Sequence, residues 1–262
     1  MGWNKATAVL AMLASSLGTA HAGNRLILAG DSTVADYPPE RYPQVGWGMM
    51  LRCGIIPPLQ ILNFAKGGSS TRTFIGTGRW QHLLDKTRAK DVVLIQFGTN
   101  DASPQAHRHT DAGTSFRENL SRMVNDVRSK NATPVLLTPV ARRSFDKSGV
   151  VRESFPEYSQ AVRTVARQES ATLIDLSAIS LKWISSLGAK GSKPFYLYIP
   201  PGRISKFPNG RQDNTHFSEI GGRRIAQFIA GELVRLKLPV SDMISPNAVG
   251  LRRTEPLGSN GC

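Results

Sequence analysis

Acidic residues and cysteines are scarce in this chain of 262 residues. It carries 33 Lys+Arg against 19 Asp+Glu, a formal net charge of +14 and a pI near 10.3. So basic a balance predicts a polyanionic partner: nucleic acid, an anionic membrane surface or an acidic polysaccharide. Yet no block of five or six like charges occurs. The basic residues are scattered (Arg41, Arg72, Arg79, Arg88, Arg142, Arg143, Arg203, Arg223), which argues against a nucleic-acid-binding arm. Two cysteines, Cys53 and Cys262, with no C-x-x-C pair exclude a cysteine-rich zinc module. Also missing are an apolar run long enough to cross a bilayer and any internal repeat or low-complexity stretch that would divide the chain. What remains is ample for a core. Hydrophobic residues make up 40% and aromatics 7%, so wholesale disorder is excluded.

The N-terminus has the layout of an export signal. Lys5 supplies a short positive segment, Ala6 to Leu17 is apolar and small, and Ala20-His21-Ala22 is an A-x-A cleavage pattern. Residues 1–22 are expected to be a signal peptide, and residues 23–262 a single domain of a secreted or periplasmic protein. Export makes nucleic acid an unexpected partner, and a monomer is expected. In an oxidising compartment Cys53 and Cys262 are able to pair. Sequence does not reveal the separation of their Cα atoms, so paired and free states both stay open.

Short apolar runs alternate with helical periodicity. Arg25 to Ala29, Leu59 to Phe64, Asp91 to Phe97, Thr133 to Thr138 and Ala171 to Leu176 read as strands. Their near-continuous hydrophobicity fits a parallel sheet buried on both faces. Phe116, Leu120, Met123, Val124 and Val127 recur at helical spacing, as do Phe155, Tyr158, Val162, Val165 and Ala166. Ile220, Ile225, Phe228, Ile229 and Leu233 mark a later helix. Strands alternating with helices predict a three-layer α/β/α sandwich. Tyr37 to Val45 and Gly188 to Asn214 are rich in Pro and Gly and read as long irregular loops. The segment from Pro239 onward shows little periodicity and is expected to wrap the surface.

In an open parallel sheet, ligands bind beyond the carboxyl ends of the strands. Three strands run there into polar sequence: Gly30-Asp31-Ser32-Thr33, Ala65-Lys66-Gly67-Gly68-Ser69-Ser70 and Gly98-Thr99-Asn100-Asp101. Asp213-Asn214-Thr215-His216 follows far downstream, just before the last helix. Together these supply a nucleophilic site. Ser32 is the candidate nucleophile, which needs a base because its hydroxyl is weak at its ordinary pKa. His216 is the candidate base, with Asp213 three residues earlier to hold its tautomer. The Ser32 and Gly68 backbone N–H groups and the Asn100 amide are candidate oxyanion donors. Asp101 is expected to orient the loop holding Asn100.

This set of residues resembles the four blocks of the SGNH (GDSL-type) hydrolases, and more narrowly the rhamnogalacturonan acetylesterases. The likeness runs from about Leu26 to Leu233 and includes GDSTVADYPP, GWGMML, NFAKGGSSTRTFI, LTPVARR and QDNTHFSEIGGRRIA. It departs at Thr99, where relatives often have His, and at Ser69, where they often have Arg. The resemblance implies a flavodoxin-like five-stranded sheet of order 2-1-3-4-5 and a Ser32, Asp213, His216 triad. It also implies an oxyanion hole from Ser32, Gly68 and Asn100, with no metal or organic cofactor. The implied activity is removal of O-acetyl groups from an acidic plant polysaccharide through an acetyl-serine. An ester on another glycan, a lipid or a thioester is the nearer alternative. A non-catalytic polyanion-binding protein on the same scaffold is the more distant one. His107 and His109 form an H-x-H that lacks a third ligand at suitable spacing and is read as solvated, and His82 as ordinary helix surface. Arg72, Arg142, Arg143, Arg203 and Arg211 fall in or near loops expected to ring the site, where arginine forks suit uronate carboxylates.

Overall fold

Alternation within each strand decides where the core forms. The computed structural model describes Met1, residues 25–250 and Cys262. The expected signal peptide therefore lies, Met1 apart, outside the described residues. Strands β1 (Arg25–Gly30), β2 (Gln60–Asn63), β3 (Val92–Gln96), β4 (Thr133–Leu137) and β5 (Thr172–Ile174) form one sheet of order β2-β1-β3-β4-β5. Every neighbouring pair in it is parallel. Ile27, Ala29, Val93, Ile95 and Leu136 face one layer, against α4 (Ser115–Ser129) and α5 (Pro156–Gln168). Leu26, Leu28, Val92, Leu94, Val135 and Leu137 face the other, against α1 (Trp47–Leu51) and α7 (Glu219–Arg235). β1, β3 and β4 are buried on both faces, which is why each reads as a near-unbroken apolar run, whereas the edge strands β2 and β5 are only partly buried. The expected α/β/α sandwich and strand order are both present.

Helices at the strand ends are fixed by local chemistry. α2 (Thr71–Gly76) starts in a reciprocal cap, with Ser70 Oγ accepting from Thr73 N–H and Thr73 Oγ1 accepting from Ser70 N–H. α3 (Arg79–Lys86) buries Trp80, Leu83 and Leu84, and α5 opens on Pro156. α6 spans Leu176–Gly191 with a break at Gly188.

Two expectations about loops need correction. The segment Gly188 to Asn214 is not wholly irregular. Tyr196–Ile199 (β6) and Arg211–Phe217 (β7) form an antiparallel hairpin, with Leu197 opposite Asp213. Asp213 and His216 thus lie just before α7, as expected, but on a strand, and Ser218 is the residue before that helix. The hairpin escapes notice because β6 is four residues long between prolines, while β7 is polar until Phe217. The segment after Pro239 does more than wrap the surface. Val240 and, on α8 (Pro246–Val249), Val249 are fully buried, and Ile244 is nearly so.

Close packing seats the hairpin. A Cβ at Gly221 of α7 would overlap the Phe195 carbonyl that precedes β6, so only glycine permits this approach. Val45 N–H donates to Phe217 O at 3.2 Å, joining the 37–45 loop to the end of β7. Cys53 and Cys262, 209 positions apart in sequence, are joined in a disulfide with Cα atoms 5.2 Å apart. Closing so long a loop removes much of the entropy of the unfolded chain. Cys53→Ser should therefore lower the unfolding free energy by about 2–4 kcal/mol. Urea denaturation of the oxidised protein beside the variant measures this, and equal midpoints and slopes would refute it.

Candidate active site

The first strand delivers Ser32. After Gly30 the chain turns, with Val34 N–H and Ala35 N–H both donating to Asp31 O at 3.2 and 3.1 Å. Asp31 Oδ1 accepts Thr33 N–H at 2.8 Å and Thr33 Oγ1–H at 2.7 Å. That hydroxyl accepts in turn from Gln96 Nε2 at 2.9 Å, and Gln96 Oε1 accepts from Trp47 Nε1–H at 2.6 Å. All four side chains are buried, so a directed chain of donors runs from Trp47 to Asp31 behind the serine. Burial pushes the Asp31 carboxyl up, against the Thr33 donors and the nearby His216.

The hairpin delivers the other partners. His216 Nδ1 lies 2.8 Å from Asp213 Oδ2, and His216 Nε2 lies 3.0 Å from Ser32 Oγ. With Nδ1–H given to the carboxylate, Nε2 is left to accept the serine proton. Asp213 Oδ1 accepts Thr215 N–H at 2.8 Å and His216 N–H at 3.0 Å, and Oδ2 also accepts from Arg211 at 2.9 Å. Burial opposes ionisation of Asp213. The His216 side-chain and backbone hydrogen bonds, the His216 charge and the Thr215 N–H outweigh it and hold the carboxyl far below its usual range.

The second and third strands bring the donors. Gly68 has φ of +80°, a left-handed conformation suited to glycine. Asn100 Nδ2 donates to Ser69 O at 3.0 Å, while Asp101 joins the two loops. Its Oδ1 accepts Thr71 N–H at 3.0 Å, Thr71 Oγ1–H at 2.5 Å and Thr110 Oγ1–H at 2.8 Å, and its Oδ2 accepts Gly98 N–H at 3.1 Å. Asp101 thus braces the loop that carries Asn100. Ser32, Gly68, Asn100 and His216 all line one open cavity of about 630 Å³. Among the described residues, the N–H groups of Ser32 and Gly68 are given to no protein acceptor. Two backbone donors and one amide thus face the same space as a serine held by an imidazole, an arrangement suited to acyl transfer.

The basic residues sort differently from the sequence expectation. Of the five arginines expected around the site, Arg211 lines this cavity and is paired with Asp213. Arg72 reaches Ala106 O. Arg203 lines a separate cavity beside β6, and Arg142 and Arg143 line another. Arg143 is occupied in holding the hairpin. It donates from its backbone to Asn214 O at 2.8 Å and from Nη1 to Asn214 Oδ1 at 3.0 Å, and from Nη2 to Ala189 O. Arg41, Lys66 and Arg108, which were not among the residues expected around the site, line the cavity beside Ser32 instead. Lys66 carried a signal through its place beside the Gly67-Gly68 turn, and Arg41 through its place in the Tyr37 to Val45 loop. His107 and His109 are exposed, and no cluster of three metal-ligating side chains exists among the described residues. No helix among the described residues is long and apolar enough to cross a membrane.

Comparison with known proteins gives a consistent picture. The GDSL-like lipase/acylhydrolase family model matches residues 28–224. The rhamnogalacturonan acetylesterase RhgT of Bacillus subtilis (strain 168) is 36% identical over 218 residues, covering 83% of this chain and 93% of that protein. The probable rhamnogalacturonan acetylesterase YesY of the same strain is also 36% identical, over 84% of this chain and 97% of that protein. Among solved structures, the Bacillus subtilis protein YxiM superposes with a TM-score of 0.71 at 27% identity. That match covers 83% of this chain, which spans only 58% of the YxiM chain. The acetyl xylan esterase AlAXEase shares the fold, with a TM-score of 0.59 at 20% identity over 80% of this chain and 99% of its own.

The donor chain behind Ser32 is open to a direct test. Gln96→Leu leaves Trp47 Nε1–H without its acceptor in a buried setting, and should destabilise the fold by about 1–3 kcal/mol. Chemical denaturation measures it, and an unchanged midpoint would show that the chain contributes nothing.

Proposed function

This chain belongs to the GDSL-like lipase/acylhydrolase family, and on that premise we propose that it is an exported serine esterase removing O-acetyl groups from rhamnogalacturonan. The observation that carries the reading is the convergence of His216 Nε2 on Ser32 Oγ at 3.0 Å beside two unspent backbone donors. In this mechanism Ser32 Oγ attacks the ester carbonyl while His216 Nε2 takes its proton. The tetrahedral oxyanion is met by the N–H groups of Ser32 and Gly68 and by the Asn100 amide. Asp213 keeps the imidazole in the required tautomer and stabilises its protonated form. Collapse breaks the ester C–O bond, and His216 returns the proton to the departing sugar hydroxyl. A water activated by the same imidazole then attacks the acetyl-serine and releases acetate.

The substrate class is supported by the names of relatives 36% identical over more than four fifths of the chain. It is also supported by the cleft itself, where Arg41, Lys66 and Arg108 line the wall. Such a wall suits a chain bearing carboxylates better than an apolar acyl tail. Export is supported by the signal-like N-terminus and by the Cys53–Cys262 disulfide, a bond favoured in an oxidising compartment.

Ser32→Ala should abolish acetate release from acetylated rhamnogalacturonan, with thermal melting retained. Acetate assays on that polymer, on acetylated xylan and on a medium-chain ester form the panel. Full activity of the variant would refute the mechanism, and equal rates on all three substrates would refute the specificity. Charge steering adds a second expectation. Raising the salt from about 0.01 M to about 0.15 M shortens the screening length from roughly 30 to 8 Å. Activity on the acidic polymer should then fall more than activity on a neutral small ester, and parallel rates would remove steering from the account.

A further inference from the structure

Arg108 stands at the wall of the cavity next to two of the proposed oxyanion donors. Its Nε–H donates to Ser103 Oγ at 3.1 Å, and its Nη1–H reaches Asn100 Oδ1 at 3.4 Å. Nη1 also lies 3.9 Å from the point that a Cβ on Gly68 would occupy. The side chain is half-buried and, unlike Arg211, forms no ion pair among the described residues. A cation left without a carboxylate therefore sits beside the place where negative charge would develop.

We propose that Arg108 is a positioning residue of the oxyanion site, acting through Asn100. The amide is held at both ends. Its oxygen faces the guanidinium, and its nitrogen faces Ser69 O, leaving a second Nδ2–H for the cavity. The reversed amide would set its oxygen against the Ser69 carbonyl and its NH₂ against a cation, so this orientation is fixed. A cation at the amide oxygen also polarises the group and makes its N–H a stronger donor. At 3.4 Å the contact is long for a hydrogen bond, so the effect is chiefly electrostatic. It is sustained by the half-buried setting, where charge is screened less than in water. The Ser103 contact keeps the guanidinium in place against its own flexibility. Gly68, having no side chain, leaves the space between cation and cavity open.

The inference rests on the reading of Asn100 as an oxyanion donor, and a neutral substrate separates the two. p-Nitrophenyl acetate carries no charge for Arg108 to recognise, so its turnover reports on the oxyanion site alone. Arg108→Met should lower kcat on this ester by about tenfold with KM held within about twofold, a fraction of the loss expected for a whole oxyanion donor. Arg108→Lys, which keeps the charge, should recover part of that loss. In an Asn100→Ala background, Arg108→Met should change kcat by less than about twofold, since the two residues act as a unit. Arg108→Gln replaces the Met variant in the same comparison if thermal melting shows the latter unfolded. An unchanged kcat on the neutral ester with a raised KM on the acidic polymer would make Arg108 a substrate contact and overturn the proposal. Full additivity with Asn100→Ala would overturn it too. Retention of ester hydrolysis by Ser32→Ala would overturn the underlying esterase reading together with it.

Discussion

The hydrogen bond between Ser32 and His216 joins residues 184 positions apart, and most of the architecture bears on keeping its ends together. Such a contact weakens within a few tenths of an ångström, and reactivity is as sensitive to position. Ser32 therefore sits one turn beyond the end of a central strand whose neighbours pair on both sides. His216 has no such support from the main sheet, because β7 belongs to a separate two-stranded hairpin. It is secured from several directions instead. Gly221 allows α7 to close against the Phe195 carbonyl, Val45 bonds to Phe217, and Arg143 pins Asn214 from outside. Tyr196, fully buried, donates its hydroxyl to Ala141 O at 2.8 Å and fixes β6 to the loop after β4.

This division explains how the excess of basic residues is used. Part of it is structural. Arg143 braces the hairpin, Arg25 forms a buried ion pair with Asp91, and Arg163 bridges α5 to Asp175 at the start of α6. Such arginines are chosen for their planar fork and several donors, not for long-range charge. Another part, Arg41, Lys66 and Arg108, lines the cavity. The net charge of +14 is thus a poor guide to where a polyanion would meet the surface, whereas the cavity wall is a specific one.

What was legible in the sequence follows the same line. The central strands β1, β3 and β4 could be read because burial on both faces makes each a near-continuous apolar run, and the partly buried edge strands β2 and β5 from their shorter apolar stretches. α4, α5 and α7 could be read because each packs one stripe against that sheet. The short helices α1 and α2 and the hairpin could not, since their conformations come from tertiary contact rather than periodicity. Trp47 and Met50 of α1, for instance, are buried between the sheet and α7. The strand-end residues Ser32, Gly68 and Asn100 were legible from the topological rule for parallel sheets. The pairing of Asp213 with His216 was legible from spacing alone. The cavity cations were not, because Arg41 and Arg108 reach it from loops whose course no local pattern dictates.

The polar groups around Ser32 divide into those fully engaged and those left free, and the contrast is itself informative. Asp101 accepts four donors and Asp213 accepts four, so both loops are tied down by carboxylates with nothing further to bond. Asp31 is different. It is fully buried, and its Oδ2 has no hydrogen-bond partner, although the rest of its turn is anchored through Gln96 to Trp47. An unsatisfied buried oxygen costs stability, and such features concentrate where function constrains the chain. A hydrogen bond to Asp31 Oδ2 would relieve that cost. Burial pushes this carboxyl up, toward its neutral form, and the Thr33 donors and the His216 charge only partly offset it. The N–H groups of Ser32 and Gly68, given to no protein acceptor among the described residues, belong to residues lining the same cavity as His216. Donors fixed in place beforehand need no reorganisation when negative charge develops beside them, and it is on this that the proposed acyl transfer would depend.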